Sequence, residues 1–142
     1  MPSGQAPLAL LAAVRRSLRV LNDAIDDGAK RAGLTVQQQA FLLATAARGG
    51  RRVALSDVRA ELDMDQATAS ELLARLIRLD LVTRATATDR RAVDVTLTAK
   101  GRQRFARSID RIRDELQVAD RAGDLRALRE SLSSYLDHYT GR

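Results

Sequence analysis

Near the N-terminus, hydrophobic residues recur among polar ones in a pattern that predicts a long helix. Residues 8–32 contain an apolar residue every three or four positions, and Gly33 then supplies a common helix end. A stripe this narrow is typical of a helix that packs against another helix, as in a coiled coil. The stripe consists of Leu11, Val14, Leu18, Leu21 and Ile25.

The C-terminal part of the chain contains two further stripes of this kind, separated by a break at residues 122–123. Because the middle of the chain forms a self-contained unit, the three striped helices are predicted to form a dimer interface. An intramolecular bundle that uses the same stripes is the alternative. The C-terminal stripes consist of Phe105, Ile109, Ile112 and Leu116, and then of Leu125, Leu128, Leu132, Tyr135 and Tyr139. The residues predicted to mediate dimerisation are Leu11, Val14, Leu18, Leu21, Ile112, Leu116, Leu128, Leu132 and Tyr135.

The middle of the chain begins with a second predicted helix. Thr35 and Gln38 have the spacing of a capping box, in which each residue satisfies a backbone N–H of the other. This helix ends before Gly49, and residues 52–54 form a short extended piece. Its apolar side is predicted to consist of Val36, Ala40, Phe41, Leu43, Ala44 and Ala47.

Two more helices follow and predict a helix-turn-helix unit. Ser56 is predicted to cap a brief helix that ends at Leu62, and Asp65 is a favourable N-cap for a longer one. A short helix, a tight turn and a longer amphipathic helix make up this unit, although many helical proteins contain such a corner. The core face of the longer helix is predicted to consist of Ala69, Leu72, Leu73, Leu76 and Leu79.

Directly after the longer helix, residues 81–87 and 92–97 read as two strands joined by a polar turn. A hairpin in this place is a wing. The predicted fold class is therefore mainly α with a small β wing. A winged helix-turn-helix domain at residues 34–101 is flanked by dimerisation helices at residues 1–33 and 102–142, in one intertwined structure.

The charge of the chain favours an anionic partner. The 142 residues carry a formal net charge of +6, and the pI is near 10.9. This balance is expected of a protein that binds nucleic acid or an acidic membrane, and an arginine-rich proteome is the alternative explanation. Aromatic residues make up 3% of the chain, so aliphatic side chains must form the core.

Several kinds of chemistry are excluded by what the sequence lacks. It has no cysteine for a thiol switch, and its single histidine, His138, rules out a multi-histidine metal site within one chain. It has no glycine-rich phosphate loop and no nucleophile motif, so we predict neither an enzyme nor a cofactor. No apolar run approaches membrane length and no signal peptide is recognisable, so we expect no membrane partner and a cytoplasmic location.

Four short motifs in the middle of the chain carry a resemblance to a known family. They are Leu34-Thr35 with Gln38, Asp65-Gln66-Ala67-Thr68-Ala69-Ser70, Asp89-Arg90-Arg91, and Leu97-Thr98-Ala99-Lys100-Gly101. In their order and spacing they resemble the MarR family of transcriptional regulators. The resemblance covers about half of the chain, and the flanking helices fit the remainder.

Double-stranded DNA is the predicted partner, and the longer helix is predicted to enter its major groove. Glutamine pairs well with adenine, and small side chains suit a thymine methyl group. Helix capping alone is the alternative role for Gln66 and Thr68, and Thr68 and Ser70 could equally contact phosphate. The recognition-helix residues predicted to contact DNA are Gln66, Ala67, Thr68, Ser70, Glu71 and Arg75.

The resemblance implies that Arg90, at the tip of the wing, enters the minor groove next to the recognition helix. Asp89 would hold the loop in shape by pairing with an arginine, for which Arg91 is the better candidate. A solvated turn with a salt bridge of little value is the alternative. Phosphate contacts are predicted for Arg51, Arg52, Ser56 and Arg84.

The sequence departs from the family pattern at three places. The family often has glycine before and after the recognition helix, where this chain has Asp63 and Asp80. Aspartate tolerates the left-handed backbone conformation better than most residues, so we expect the fold to survive. The family commonly has a basic residue at the position of Glu71. This carboxylate either accepts a hydrogen bond from a cytosine amino group or points away from DNA.

The resemblance implies a homodimeric repressor that binds an inverted-repeat operator. It further implies a small aromatic or phenolic effector, bound between the dimerisation helices and the winged domain, and nothing in the sequence identifies it. One alternative is a winged helix used for protein–protein contact or for nonspecific DNA binding. Another is a DNA-binding regulator that has no ligand.

Overall fold

The computed structural model describes residues 5–86 and 92–121, together with positions 130, 133, 134 and 137. Within these residues the elements occur in the predicted order, which confirms a mainly α fold with a small wing. The chain forms two compact units, Met1–Ile109 and Asp110–Arg142. The elements are α1 (Gln5–Arg31), α2 (Val36–Ala46), β1 (Val53–Ala54), α3 (Leu55–Leu62), α4 (Gln66–Arg78), β2 (Val82–Thr86), β3 (Val93–Leu97) and α5 (Ala99–Arg121).

The core of the first unit lies between the helices and the sheet. Phe41 and Leu42 of α2 are completely covered, as are Leu76 of α4 and Val95 of β3. Phe105 of α5 packs into the same cluster. Burial of such large apolar side chains contributes about 1.5–3 kcal/mol each. This core fixes α4 against the sheet and thereby sets the position of its exposed face.

The buried face of α2 differs from the predicted one. Val36 and Leu43 were expected to face the core, but they are 51% and 48% exposed. Leu42 and the polar residues Gln39 and Thr45 are buried in their place. The prediction was wrong because α2 has apolar or small residues on every side, so its periodicity did not identify one face.

Of the three predicted helix caps, two are confirmed and the third is wrong. Thr35 and Gln38 form both hydrogen bonds of the capping box, and Asp65 accepts the Thr68 N–H at 2.7 Å. The predicted Ser56 cap is wrong, because α3 begins one residue before Ser56 and Ala54 occupies the N-cap position without a side-chain bond.

The ends of two elements also differ from the sequence-based expectation. Leu79 was predicted to lie on the core face of α4, but it is the C-cap residue of that helix and is exposed. Arg52 was predicted to be extended, yet it has a positive φ of 47°. Strand β1 therefore starts only at Val53. At such ends the local turn geometry, rather than the hydrophobic pattern, decides the direction of the side chain.

Both predicted aspartate turns adopt the left-handed conformation. Asp63 ends α3 with φ 50°, and Asp80 follows α4 with φ 60°. The backbone N–H of Leu81 returns to the carbonyl oxygen of Leu76 at 3.0 Å, which closes the second turn. Such a turn is typical of a helix C-terminus, where glycine is the usual residue.

The sheet has three antiparallel strands in the order β1-β3-β2. Strand β3 pairs along its whole length with β2, from Val82 opposite Leu97 to Thr86 opposite Val93. The hydroxyl of Thr98 donates to the carbonyl oxygen of Asp80 at 2.6 Å, which ties the end of β3 to the end of α4. The base of the wing is thus held in a fixed position relative to α4.

Of the helices in the part of the chain described above, none is both long enough and apolar enough to cross a membrane.

Candidate nucleic-acid interface

The N-terminal half of α4 presents a largely polar surface because its leucine side chains face the core. The helix buries one stripe and leaves the opposite side uncovered, as expected of a strongly amphipathic helix. Of the α4 residues predicted to contact DNA, Thr68 is half-buried and the others are exposed. The buried stripe consists of Ala69, Leu72, Leu73 and Leu76. The exposed residues are Gln66, Ala67, Ser70, Glu71 and Arg75.

The start of α4 is held by a charged cap. The Asp65 carboxylate accepts the backbone N–H of Thr68, and this hydrogen bond is the main reason that the pKa of Asp65 lies below its ordinary value. The hydroxyl of Thr68 and the positive charge of Arg59 lower this pKa further. Asp65 therefore remains ionised at neutral pH and orders the turn that carries Gln66 and Ala67.

A groove of about 470 Å³ lies between α3, α4 and the base of the wing. Its polar lining residues come from three elements, namely Ser56 and Arg59 of α3, Gln66 and Ser70 of α4, and Arg84 of β2. Leu73, Ile77 and Val93 contribute apolar surface. The residues that line this groove include two arginines and no acidic residue, so the groove attracts anions.

Arg59 was not predicted as a functional residue. It is half-buried, and its Nε donates to the carbonyl oxygen of Met64 at 3.3 Å, in the turn before α4. The sequence did contain a signal, since Arg59 lies three positions after Ser56 and residues at this spacing share a helix face. The structure thus adds a second guanidinium group beside the predicted Arg84.

Arg51 and Arg52 were predicted to contact phosphate, but neither lines the groove. Both are exposed, and the Arg52 guanidinium lies 3.7 Å from the Asp94 carboxylate of β3. The Arg52 side chain is 70% exposed and that of Asp94 is 17% exposed, so Arg52 remains accessible to solvent despite the ion pair. The two residues remain candidates for an outer contact beyond the groove.

The tip of the wing, with Asp89, Arg90 and Arg91, lies outside the described residues. Strand β2 leads toward it with Thr83 and the following three residues exposed. Arg84 lies in this exposed part of β2 and is also one of the residues that line the groove.

The predicted dimerisation stripe of α1 is uncovered in the single chain. Leu11, Leu18 and Leu21 are 64%, 47% and 39% exposed, and Val14 is half-buried. Ile112 is only 8% exposed. Three of the predicted residues, Leu128, Leu132 and Tyr135, lie outside the described residues, as does the side chain of Leu116. A row of exposed leucines on one helix is unusual for the surface of a monomer and typical of a protein–protein contact.

The comparison with family models identifies the class of the central domain. Residues 36–101 match the family of the winged helix DNA-binding domain. They cover the two helices of the helix-turn-helix unit, both strands of the wing and the start of α5. No curated protein matches the sequence.

Solved structures extend this result to nearly the whole chain. A MarR family transcription regulator is 21% identical, with a TM-score of 0.72, over 96% of this chain and 92% of the relative. The transcriptional regulator MosR of M. tuberculosis, solved in complex with DNA, is 23% identical with a TM-score of 0.62, over 92% and 96% of the two chains. MepR of S. aureus, solved as a DNA complex, is 18% identical with a TM-score of 0.66, over 90% and 96%.

These comparisons confirm the resemblance to the MarR family at the level of the fold. The central segment is a winged helix domain, and the chain as a whole has the fold of MarR family transcription regulators.

Proposed function

We propose that this protein is a sequence-specific transcriptional regulator that binds double-stranded DNA as a homodimer. Recognition helix α4 enters the major groove, where Gln66 and Ser70 meet base edges or phosphates. The wing lies against the adjacent minor groove, where Arg90 is the residue proposed to enter it.

The observation that carries this proposal is the groove shared by α3, α4 and β2. Its residues are those a phosphate backbone requires: Arg59 and Arg84 supply positive charge, and Ser56 and Ser70 supply hydroxyl donors. Because α4 forms one side of this groove, a DNA strand bound in the groove would place its base edges next to Gln66. The winged helix DNA-binding family and the DNA complexes of two structural relatives support the same assignment.

The homodimer is supported by the exposed leucine stripe of α1. A two-fold dimer presents two copies of α4, and such a pair fits an inverted repeat with half-sites about one helical turn apart. Repression by blocking a promoter, and release by a small aromatic or phenolic effector, are proposed from the resemblance to the MarR family. An effector would act by changing the separation of the two recognition helices.

Selection of duplexes from a random DNA pool at about 150 mM salt tests the proposal, because this salt level suppresses much nonspecific binding. We expect an enriched inverted repeat. An Arg84→Ala variant should bind the enriched duplex more weakly, and sedimentation of the complex should give two chains per duplex. If no sequence is enriched, the proposal fails and the winged helix serves nonspecific DNA binding or protein contact.

A further inference from the structure

Glu71 is an acidic residue on the exposed face of the recognition helix. It lies one helical turn after Ala67 and one turn before Arg75, and all three side chains are exposed. Their spacing of four places them on one stripe of α4. Gln66 and Ser70, which line the groove, form the neighbouring stripe. A major groove that receives this end of α4 therefore meets the Glu71 carboxylate together with Gln66 and Ser70.

The Glu71 carboxylate makes no hydrogen bond or ion pair with any residue in the described part of the chain. Two other carboxylates near the helix-turn-helix unit do have partners. Glu61 contacts Arg48 at 2.6 Å, and Asp65 caps α4. Those two carboxylates serve the fold, whereas Glu71 retains its acceptor oxygens for a donor outside the chain.

An unpartnered carboxylate on a DNA-facing surface is unfavourable unless a donor meets it. Phosphates line both edges of the major groove and repel a negative charge. The base edges differ in what they offer to Glu71. Guanine N7 and O6 and thymine O4 are acceptors, and adenine presents its amino group beside the acceptor N7. Cytosine presents its N4 amino group as a donor, and it is therefore the base that best offsets the repulsion.

We propose that Glu71 is a specificity-determining residue that accepts a hydrogen bond from the N4 amino group of a cytosine in each half-site. The inference rests on the proposed function, since it requires α4 to enter the major groove. Glu71 acts both by attraction to cytosine and by repulsion from bases that present acceptors. A protein with a net charge of +6 tolerates this carboxylate because the rest of its surface supplies the attraction to phosphate.

The test uses the full chain and three variants in parallel selections from a random duplex pool at about 150 mM salt. Glutamine pairs with adenine through N6 and N7, so Glu71→Gln is expected to change one position of each half-site from cytosine to adenine. Glu71→Ala is expected to lose the preference at that position alone. Asp110→Asn removes one negative charge from an exposed site on α5 and is expected to select the wild-type sequence.

A binding measurement on the wild-type protein makes the test independent of the folding of any variant. Replacement of the selected C·G pair by each of the other three pairs should weaken binding at least about fivefold. The role of Glu71 is overturned if the inverted repeat has no preferred cytosine, or if both Glu71 variants still prefer that cytosine. Either result leaves the proposed function intact. If the wild-type protein enriches no sequence, the proposed function itself fails.

Discussion

Gly28 of α1 lies directly against the backbone carbonyl of Ser108 in α5. A Cβ atom at residue 28 would collide with that carbonyl oxygen, so only glycine allows the two helices to approach this closely. The side chain of Gln39, in α2, reaches the same oxygen through its Nε2 at 3.5 Å. Three helices therefore meet at one backbone carbonyl, and the contact holds α1 against the winged domain.

Substitution of Gly28 by alanine should lower the free energy of unfolding by about 1–3 kcal/mol, because the added methyl group meets backbone that has no room to move. At an exposed helix position the same change would instead raise stability by about 1 kcal/mol, so the sign of the effect is diagnostic. Urea unfolding measures it. Lys30→Ala, at an exposed position of the same helix, is the control and should change stability by less than about 0.5 kcal/mol. A stabilised Gly28→Ala protein would contradict the contact.

Asp80 should be replaceable by glycine but not by alanine. With φ 60° it adopts a conformation that glycine accepts freely, aspartate tolerates and alanine resists. We expect the free energy of unfolding to be highest with glycine, intermediate with aspartate and lowest with alanine. The difference between glycine and alanine should be about 1–2 kcal/mol. Chemical denaturation of the three proteins provides the measurement. An alanine variant as stable as the glycine variant would show that residue 80 is not left-handed.

Asp65 should contribute a pH-dependent stabilisation. The Thr68 N–H lowers the pKa of the folded-state carboxylate below its ordinary value. The stabilisation is therefore fully present above the ordinary pKa of aspartate and is lost as the pH falls through the depressed folded-state pKa. Asp65→Asn keeps a capping oxygen, so it should resemble the wild type at neutral pH and lose less stability in acid. Urea titrations of the wild type and of Asp65→Asn between about pH 2 and pH 7 test this linkage. Identical acid profiles would exclude a role for this carboxylate.

The leucine stripe of α1 should be required for the homodimer. Leu18→Glu combined with Leu21→Glu places two charges where the partner helix is expected, and burial of each leucine is worth about 1.5–3 kcal/mol. We expect sedimentation velocity to show a monomer. Val20→Glu is the matched control, because Val20 is 61% exposed but lies off the stripe. A dimer that survives the double substitution would assign the stripe to another role.

Arg84 and Arg59 should contribute to the salt dependence of DNA binding. Each phosphate contact adds about 0.9 to the slope of log K against log salt, so loss of one contact in both halves of a dimer reduces this slope by about twice that amount. Binding titrations at several salt concentrations measure the slope for Arg84→Ala and Arg59→Ala. Arg107→Ala, at an exposed position on α5, serves as the control. An unchanged slope in either groove variant would remove that arginine from the phosphate-binding surface.

Features that depend on residues close together in the chain could be predicted from the sequence. The capping box of Thr35 and the cap at Asp65 each join groups three residues apart, so the residue types and spacing determine them. The helix-turn-helix unit and the wing followed from such local signals and from their order. The resemblance to the MarR family used the same motifs, and the structural comparisons confirm it for the fold.

The tertiary structure alone decided which faces meet. The sequence of α2 has apolar residues on all sides, and only its packing selected Leu42 over Leu43. The groove forms because α3, α4 and β2 pack together. Arg59 and Arg84, which are distant in the chain, therefore line the same groove. Gly28 carries no local sign of its contact with Ser108. Short-range hydrogen bonds are encoded by neighbouring residues, whereas the packing of helices and strands depends on the shape of the whole core.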